Sequence, residues 1–172
     1  MGCCLIVIDM QKGVFGLKRP VYHERELIEH VKTAVRLARQ SGFPVMFSLH
    51  ENNTFLQPDT PGHGLRNELD ILPGDTVIRK KHPDVFAETN LEEILEKNQI
   101  STIIIAGLIS NGCVRCACLA ALAKGFRVVL VKDAHSTFFG DPAKIIEQIN
   151  TELEAAGARI VAAGELSAAT LG

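Results

Sequence analysis

Three residues of this 172-residue chain have side chains that could meet in one reactive site: Asp9, Lys80 and Cys113. Asp9 and Lys80 end runs of apolar, β-branched residues, which are typical of strands, and Cys113 follows another such run by a short turn. A thiol near a lysine tends towards the thiolate and is then a better nucleophile. The residue types therefore predict an acid, an ammonium and a nucleophilic sulfur at one site.

Cys113 also stands at the predicted start of a helix, directly after Gly112. The free N–H groups and the dipole of a helix start favour a negative charge, so we predict that this thiol is shifted towards the thiolate. Gly112 gives the turn a backbone freedom that other residues lack. The N–H groups of the turn could thereby face a bound anion, such as the oxyanion of a tetrahedral intermediate.

Short apolar runs alternate with helical patterns along the chain. Strands are predicted at Cys3–Asp9, Pro44–Leu49, Thr76–Lys80, Thr102–Gly107, Phe126–Lys132 and Arg159–Ala162. Helical patterns are predicted over 24–40, from a pair of overlapping capping boxes at 89–93 to about 97, over 114–122, and from the Asp141-Pro142 start to 157. The alternation predicts the α/β class: one doubly wound (Rossmann-like) parallel sheet of about six strands, with helices on both faces.

Ligands bind such sheets at the carboxyl ends of the strands, near the point where the strand order reverses. Asp9, Lys80 and the turn before Cys113 all follow the ends of predicted strands. The segment from His50 to Asp75 has no predicted helix or strand, and connections of that length inside a compact domain are usually functional. We predict that this segment shapes a substrate pocket.

Composition excludes several classes of protein. At about 150 residues per domain, the chain is predicted to be a single domain over 1–172. A hydrophobic content of 47% is too high for a disordered chain, and 18 basic against 20 acidic residues give no electrostatic reason to expect a nucleic-acid partner. No apolar run approaches the roughly 20 residues of a membrane span. Five cysteines, an odd number, predict free thiols and a cytoplasmic location.

Three segments together resemble the isochorismatase-like cysteine hydrolases, and the resemblance covers nearly the whole chain. The segments are Asp9-Met10-Gln11, Gly74–Lys80 with Phe86 and Thr89 downstream, and Gly107–Val114. The spacing to Phe86 selects Lys80 over Lys81 as the family's lysine. Ser110 stands where Thr is more usual in the third segment.

The resemblance implies a metal-independent hydrolase that cleaves a C–N bond of a small amide through a thioester. Asp9 would take the thiol proton and return it to the leaving amine, Lys80 would balance the charge, and Cys113 would attack the carbonyl. The implied oxyanion donors are the backbone N–H groups of Ile109 and Cys113, with a cis peptide at Leu108–Ile109. No cofactor is implied, and a dimer or larger homo-oligomer is expected.

Five further residues are predicted to contact the substrate, from the resemblance or from their place at strand ends and in the long segment. They are Gln11, Phe15, His50, Phe86 and His135. For His135, which follows the fifth strand, pocket lining and an ordinary loop role stay equally open. The substrate itself is predicted to be planar or to bear a carboxylate.

Other chemistries are less consistent with the residues. Nicotinamidases of the family carry a metal-binding Asp-x-His, but Ser48 stands two residues before His50, so we predict no metal. Positions 107–112 match the start of a P-loop, yet Cys113 occupies the position of its lysine, which excludes nucleotide hydrolysis. Cys113 and Cys116 form a Cys-x-x-Cys pair, so thiol redox chemistry stays open as an alternative.

Two further alternatives are hydrolysis of a vinyl ether and ligand binding without catalysis. Isochorismatase itself cleaves a vinyl ether without needing a thiol, and the presence of Cys113 favours amide hydrolysis over that reaction. A binding protein without catalysis is the remaining possibility.

Overall fold

The computed structural model describes residues 2–167, and within them six strands form one parallel sheet. The strand order is β3-β2-β1-β4-β5-β6. The strands are β1 (Gly2–Ile8), β2 (Val45–His50), β3 (Thr76–Lys80), β4 (Ile100–Leu108), β5 (Arg127–Ser136) and β6 (Arg159–Val161). The predicted doubly wound α/β sheet is confirmed, although β5 runs to Ser136 where the sequence predicted an end at Lys132.

Strand β1 shows why the sheet is covered on both faces. Leu5 and Val7 point into one hydrophobic cluster, whereas Ile6 and Ile8 point into the other. All four side chains are at most 1% exposed. Successive side chains of a strand face opposite sides, so a strand buried on both sides must be apolar throughout.

Helices cover both faces of the sheet. They are α1 (Lys12–Phe15), α2 (Glu24–Gln40), α3 (Leu91–Lys97), α4 (Arg115–Ala123) and α5 (Pro142–Ala155). The apolar face of α2, which includes Leu27 and Val31, joins the cluster of Leu5 and Val7. Residues of α3, α4 and α5 bury the opposite face. No helix within residues 2–167 has the length and apolar character needed to cross a bilayer.

The predicted helix starts are only partly correct. At α5 the Asp141 side chain accepts a hydrogen bond from the Lys144 backbone N–H at 3.3 Å, as a cap should. The capping boxes predicted before α3 do not form. Asn90 has φ −94° and ψ 18°, outside the extended region typical of a cap residue, and its side chain makes no capping bond. The Thr89 hydroxyl accepts from the Leu91 N–H instead, at 3.4 Å.

Gly107 lies where β4 passes closest to β1. Its φ of +117° is a conformation that side-chain-bearing residues rarely adopt. A Cβ at this position would lie 2.1 Å from the backbone oxygen of Ile8. A glycine is therefore required immediately before the turn that carries Cys113, because the two central strands leave no room for a side chain.

We expect Gly107→Ala to destabilise the fold by more than about 3 kcal/mol, since it combines positive φ with a backbone collision. Gly125→Ala is the matched control: its φ is also positive, at +83°, but nothing lies within 4 Å of the added Cβ. That control should cost only about 1–2 kcal/mol. Urea unfolding of both variants measures the difference, and equal losses would contradict the close-approach explanation.

Candidate active site

The strand order places the site at the centre of the sheet. Strands β1 and β4 are neighbours, and β2 and β5 continue the sheet in opposite directions from them. This is the switch point at which doubly wound sheets bind ligands. Asp9 follows β1 directly, and the turn that leads to Cys113 follows β4.

Asp9 is held by a buried ion pair and a buried hydroxyl. The Lys80 Nζ donates to Asp9 Oδ2 at 2.7 Å, and the Ser48 hydroxyl donates to Oδ1 at 2.5 Å. The Asp9 backbone N–H also contacts the Ser48 hydroxyl, at 3.1 Å. The Lys80 side chain is 0% exposed and that of Asp9 5%. Such a pair fixes the carboxylate in one orientation, because unpairing either buried charge would be costly.

The remaining N–H groups of the Lys80 ammonium also have acceptors. The backbone oxygen of His82 lies 3.2 Å from Nζ, and the His50 Nδ1 lies 3.4 Å from it. An ammonium has three N–H donors, so Asp9, His82 and His50 account for all of them. Lys80 is thus locked in place from three directions.

The structure brings Cys113 to this pair although more than 30 residues separate it from Lys80 in sequence. One ligand atom each of Asp9, His50 and Cys113 lies within 4.8 Å of the others. Both Asp9 and Lys80 interact with the thiol closely enough to affect its ionisation. The side chains selected from the sequence as acid, ammonium and thiol therefore share one site.

The predicted shift of Cys113 towards the thiolate is wrong. Burial raises the pKa of the Cys113 thiol to about 12, and the Asp9 carboxylate adds to the rise. The Lys80 ammonium lowers the pKa but does not compensate, since its charge is already paired with Asp9. The resting site therefore holds a neutral thiol beside a carboxylate that can receive its proton.

Alkylation of Cys113 should accordingly be slow at neutral pH and rise with alkalinity. Below the pKa the thiolate fraction grows about tenfold per pH unit. With the pKa raised to about 12, we expect the iodoacetamide rate at Cys113 to climb without a plateau between pH 6 and pH 10. Peptide mass spectrometry measures this rate, and a plateau near pH 7 would show a stable thiolate instead.

The turn between β4 and α4 borders the same site. The Leu108–Ile109 peptide bond is cis, as the resemblance implied. Residues Ser110–Val114 form a turn that is kinked at Gly112, whose φ of −126° and ψ of −114° are non-helical. The N–H groups of Gly112 and Val114 both donate to the Ile109 oxygen, at 3.0 and 3.2 Å. Ile109 and Cys113, whose N–H groups are the implied oxyanion donors, both line the adjacent cavity.

A cavity of about 160 Å³ opens beside the thiol. Its polar lining residues are Asp9, His50, Asn52 and Cys113. Its apolar lining residues are Val14, Phe55, Leu56, Leu108, Ile109 and Phe138. Four of these residues belong to the segment that starts at His50, which confirms the prediction that this segment shapes a pocket.

Of the five predicted substrate contacts, His50 lies at the cavity and Gln11 does not. Gln11 is fully buried, and its amide nitrogen donates to the backbone oxygens of His50 and His63 at 3.0 and 2.8 Å. Its amide oxygen accepts from the His50 N–H at 2.9 Å. Gln11 therefore joins the segment that starts at His50 to the stretch of chain that follows β1.

Phe15, Phe86 and His135 also lie away from the cavity lining. The Arg66 guanidinium covers the Phe15 ring at 4.6 Å, and Phe86 stacks on Phe126 at 6.1 Å between ring centres. Aromatic rings bury a large apolar area, so packing explains the positions of Phe15 and Phe86.

His135 is buried behind the turn that carries Cys113. Its Nδ1 lies 2.8 Å from the Ser110 hydroxyl and its Nε2 lies 3.0 Å from Asn150 Oδ1. The amide oxygen can only accept, so the ring proton sits on Nε2 and the Ser110 hydroxyl donates to Nδ1. Burial lowers the pKa of His135, which keeps the ring neutral. His135 links the turn to α5 and does not contact the cavity.

Sequence reasoning missed two kinds of residue. Ser48 was noted only for the carboxylate that it lacks, yet its hydroxyl is a direct partner of Asp9. Phe138 was not singled out, although it lines the cavity from beyond β5. A polar residue inside the apolar run of β2 was an available signal for Ser48, whereas nothing in the pattern distinguished Phe138.

The cysteines provide no structural bridge. All five are free thiols. Cys118 is 0% exposed in the core between α4 and the sheet, whereas Cys116 is partly buried on another side of α4. Cys113 and Cys116 are not bonded to each other in the structure.

Comparison with known proteins agrees with this geometry. The family model described as "Isochorismatase domain" matches residues 3–161. The chain belongs to the isochorismatase family. This membership confirms the resemblance carried by the three sequence segments.

Curated relatives in the isochorismatase family have several activities. Streptothricin hydrolase of Streptomyces noursei is 29% identical over 136 residues, 78% of this chain and 49% of that protein. This chain thus spans about half the length of that relative. Nicotinamidase 3 of Arabidopsis thaliana is 27% identical over 151 residues, which are 78% of this chain and 73% of that protein. N-carbamoylsarcosine amidase of an Arthrobacter species is 42% identical over 60 residues, 35% of this chain and 23% of that protein.

Solved isochorismatase-family structures have the same architecture. An isochorismatase from Pseudomonas putida KT2440 superposes with a TM-score of 0.85 at 28% identity, covering 95% of this chain and 89% of that one. N-carbamoylsarcosine amidase from Thermoplasma acidophilum superposes with a TM-score of 0.83 at 23% identity, covering 96% of this chain and 99% of that one. At that identity the second likeness concerns the fold alone.

The site does not suit the metal ion that the family's nicotinamidases bind. Asp9, His50 and Cys113 are close enough to share an ion, but the donor set is already occupied. Each Asp9 oxygen accepts from Lys80 or Ser48, and the Lys80 ammonium faces the His50 Nδ1 at 3.4 Å. A divalent cation among these atoms would be repelled by the ammonium of Lys80.

Proposed function

We propose that this chain is a metal-independent cysteine hydrolase that cleaves a C–N bond of a small amide. One observation carries the proposal: the Cys113 thiol and the Asp9 carboxylate line one cavity, and a buried lysine holds the carboxylate in place. A thiol needs a base to become a nucleophile, and the Asp9 carboxylate lies within reach of it. The reaction follows from the proton positions of these groups.

Acylation begins with transfer of the Sγ proton to Asp9 as the sulfur attacks the amide carbonyl. A C–S bond forms, and the carbonyl oxygen becomes an oxyanion held by the N–H groups of Ile109 and Cys113. The oxyanion then reforms the carbonyl and the C–N bond breaks. Asp9 gives its proton to the departing nitrogen, so an amine leaves and a thioester remains on Cys113.

Hydrolysis of the thioester uses the same groups in reverse. Asp9 takes a proton from water while the water oxygen attacks the thioester carbonyl. The C–S bond breaks, the acid product leaves, and Asp9 returns the proton to the sulfur. Lys80 keeps the Asp9 carboxylate in position through its 2.7 Å hydrogen bond during both proton transfers.

The names of relatives support amide chemistry without deciding it. N-carbamoylsarcosine amidase is an amidase by name, whereas isochorismatase, which gives the family its name, cleaves a C–O bond. Vinyl ether hydrolysis needs no nucleophilic sulfur, so the thiol beside a fixed base favours the amide reaction. The competing reaction is tested with isochorismate in the same assay as a panel of small amides.

The decisive experiment combines that panel with a search for the acyl-enzyme. Rapid acid quenching during turnover should give a mass increase equal to the acyl group, located on the peptide that contains Cys113. Ammonia or amine release should accompany it. Hydrolysis of isochorismate alone, with no adduct from any amide, would overturn the proposal.

A further inference from the structure

The cavity beside Cys113 presents almost no unpaired charge to a ligand. Within residues 2–167 its lining contains no arginine and no lysine, and Asp9 is its one charged residue. The Asp9 charge is neutralised by Lys80 at 2.7 Å. A charged group on a substrate would therefore lose its hydration in the cavity without gaining an opposite charge, which is unfavourable.

Lys80 cannot serve as that missing partner for an anionic substrate. Its three N–H groups are directed to Asp9, His82 and His50, and its side chain is completely buried. A carboxylate that approached Lys80 would also approach the carboxylate of Asp9. A cationic group on a substrate could not pair with Asp9 either, because the nearby ammonium of Lys80 would repel that group.

The two other polar lining residues, His50 and Asn52, are neutral. Burial, with the adjacent Lys80 charge, lowers the pKa of His50, so its ring is uncharged near neutral pH. The Asn52 Oδ1 accepts from the backbone N–H groups of Thr54 and Leu56 at 2.9 and 3.0 Å. These residues can exchange neutral hydrogen bonds with a ligand and cannot balance a charge.

The size and lining of the cavity select for a flat, apolar group. Phe55, Leu56 and Phe138 supply apolar surface around a volume of about 160 Å³. A closed apolar cavity of about 150 Å³ in another protein holds one benzene molecule. The space beside the thiol therefore matches a single six-membered ring attached to the reacting amide.

We infer that the site acts on amides whose acyl group is uncharged and about the size of one six-membered ring. The inference rests on the proposed amide hydrolysis and narrows its substrate class. It replaces the expectation that a carboxylate-bearing substrate fits equally well, because neither Lys80 nor any other lining residue offers the cation that such a substrate needs.

Four synthetic amides test the inference. Benzamide is the ring-sized probe, 2-naphthamide is the larger one, and 4-nitrobenzamide and 4-carbamoylbenzoate share a shape but differ in charge. We expect kcat/KM for benzamide to exceed that for 2-naphthamide, and that for the nitro compound to exceed that for the carboxylate by at least about tenfold. A carboxylate hydrolysed as fast as its nitro analogue would overturn the inference.

A binding measurement tests this inference independently of the proposed function. If no amide is hydrolysed, amide hydrolysis is refuted, and the order in which the same four probes raise the Tm of Cys113→Ala still decides the preference. Stronger stabilisation by 4-nitrobenzamide than by 4-carbamoylbenzoate supports an uncharged ligand. Equal or reversed stabilisation contradicts it.

A substitution at the cavity provides an independent check. Phe55 lines the cavity and is 41% exposed, so Phe55→Arg adds a cation there at little cost to folding. The kcat/KM ratio of carboxylate to nitro probe should rise by about tenfold or more. Phe139→Arg is the matched control, because Phe139 is 45% exposed and does not line the cavity. An unchanged ratio in Phe55→Arg, or an equal rise in both variants, would contradict the charge argument.

Discussion

Replacement of Cys113 by Ser is expected to lower kcat/KM for amide hydrolysis by more than about 10³-fold. A hydroxyl holds its proton far more tightly than a thiol, so Asp9 would have to remove the proton of a much weaker acid. The substitution changes one atom of a partly buried side chain, so the fold should persist. Initial rates and far-ultraviolet circular dichroism measure the two effects.

Cys116 provides the control for this experiment. It is also a partly buried free thiol, lies three residues further along, and does not line the cavity. Cys116→Ser should retain the full rate, and the acyl adduct should remain on the Cys113 peptide. Hydrolysis that survives in Cys113→Ser would refute the assignment of Cys113 as the nucleophile. Hydrolysis that stops in Cys116→Ser would also contradict it, and would favour thiol redox chemistry that uses both cysteines.

Lys80→Met should destabilise the protein by about 3–5 kcal/mol and abolish hydrolysis. Methionine fills a similar volume, but it leaves the Asp9 carboxylate buried without a counter-charge. Asp9 would then either destabilise the fold or take up a proton, and a protonated Asp9 cannot act as the base. Urea unfolding gives the free energy of unfolding, and the amide assay gives the rate.

Two matched variants separate stability from catalysis. Asp9→Asn combined with Lys80→Met removes both charges and should recover most of the lost stability without restoring activity. Lys124→Met breaks an ion pair with Glu92 that is also 2.7 Å long but exposed, so it should cost less than about 1 kcal/mol. A double variant that regains hydrolysis, or equal losses at Lys80 and Lys124, would contradict the role of the buried pair.

The fold could be predicted from the sequence because its signals are local. β1, β2 and β4 are nearly continuous apolar runs, and the helix Glu24–Gln40 repeats its apolar residues at helical spacing. Parallel strands buried on both faces require the first pattern, and a helix covering a sheet requires the second. Helix starts were predicted less well, because capping depends on the backbone angles of single residues, as at Asn90.

Asp9, Lys80 and Cys113 could be selected together because each stands at or just beyond a strand end, and a parallel sheet brings such ends to one edge. The sequence alone therefore determined the fold class, the family resemblance and the three side chains of the candidate site. It could not determine what surrounds them. Contacts such as Ser48 with Asp9 join residues far apart in the chain, and no local pattern encodes those distances.

The tertiary structure decided the ionisation of Cys113 and the lining of the cavity. Sequence position at a helix start predicted a thiolate, but burial and the neighbouring carboxylate favour the thiol. Gln11, Phe86 and His135, for which substrate contact was predicted, lie outside the cavity lining, in hydrogen bonds or ring packing of their own. Both outcomes have one physical cause: pKa and accessibility depend on every group within a few ångströms, whatever its distance along the chain.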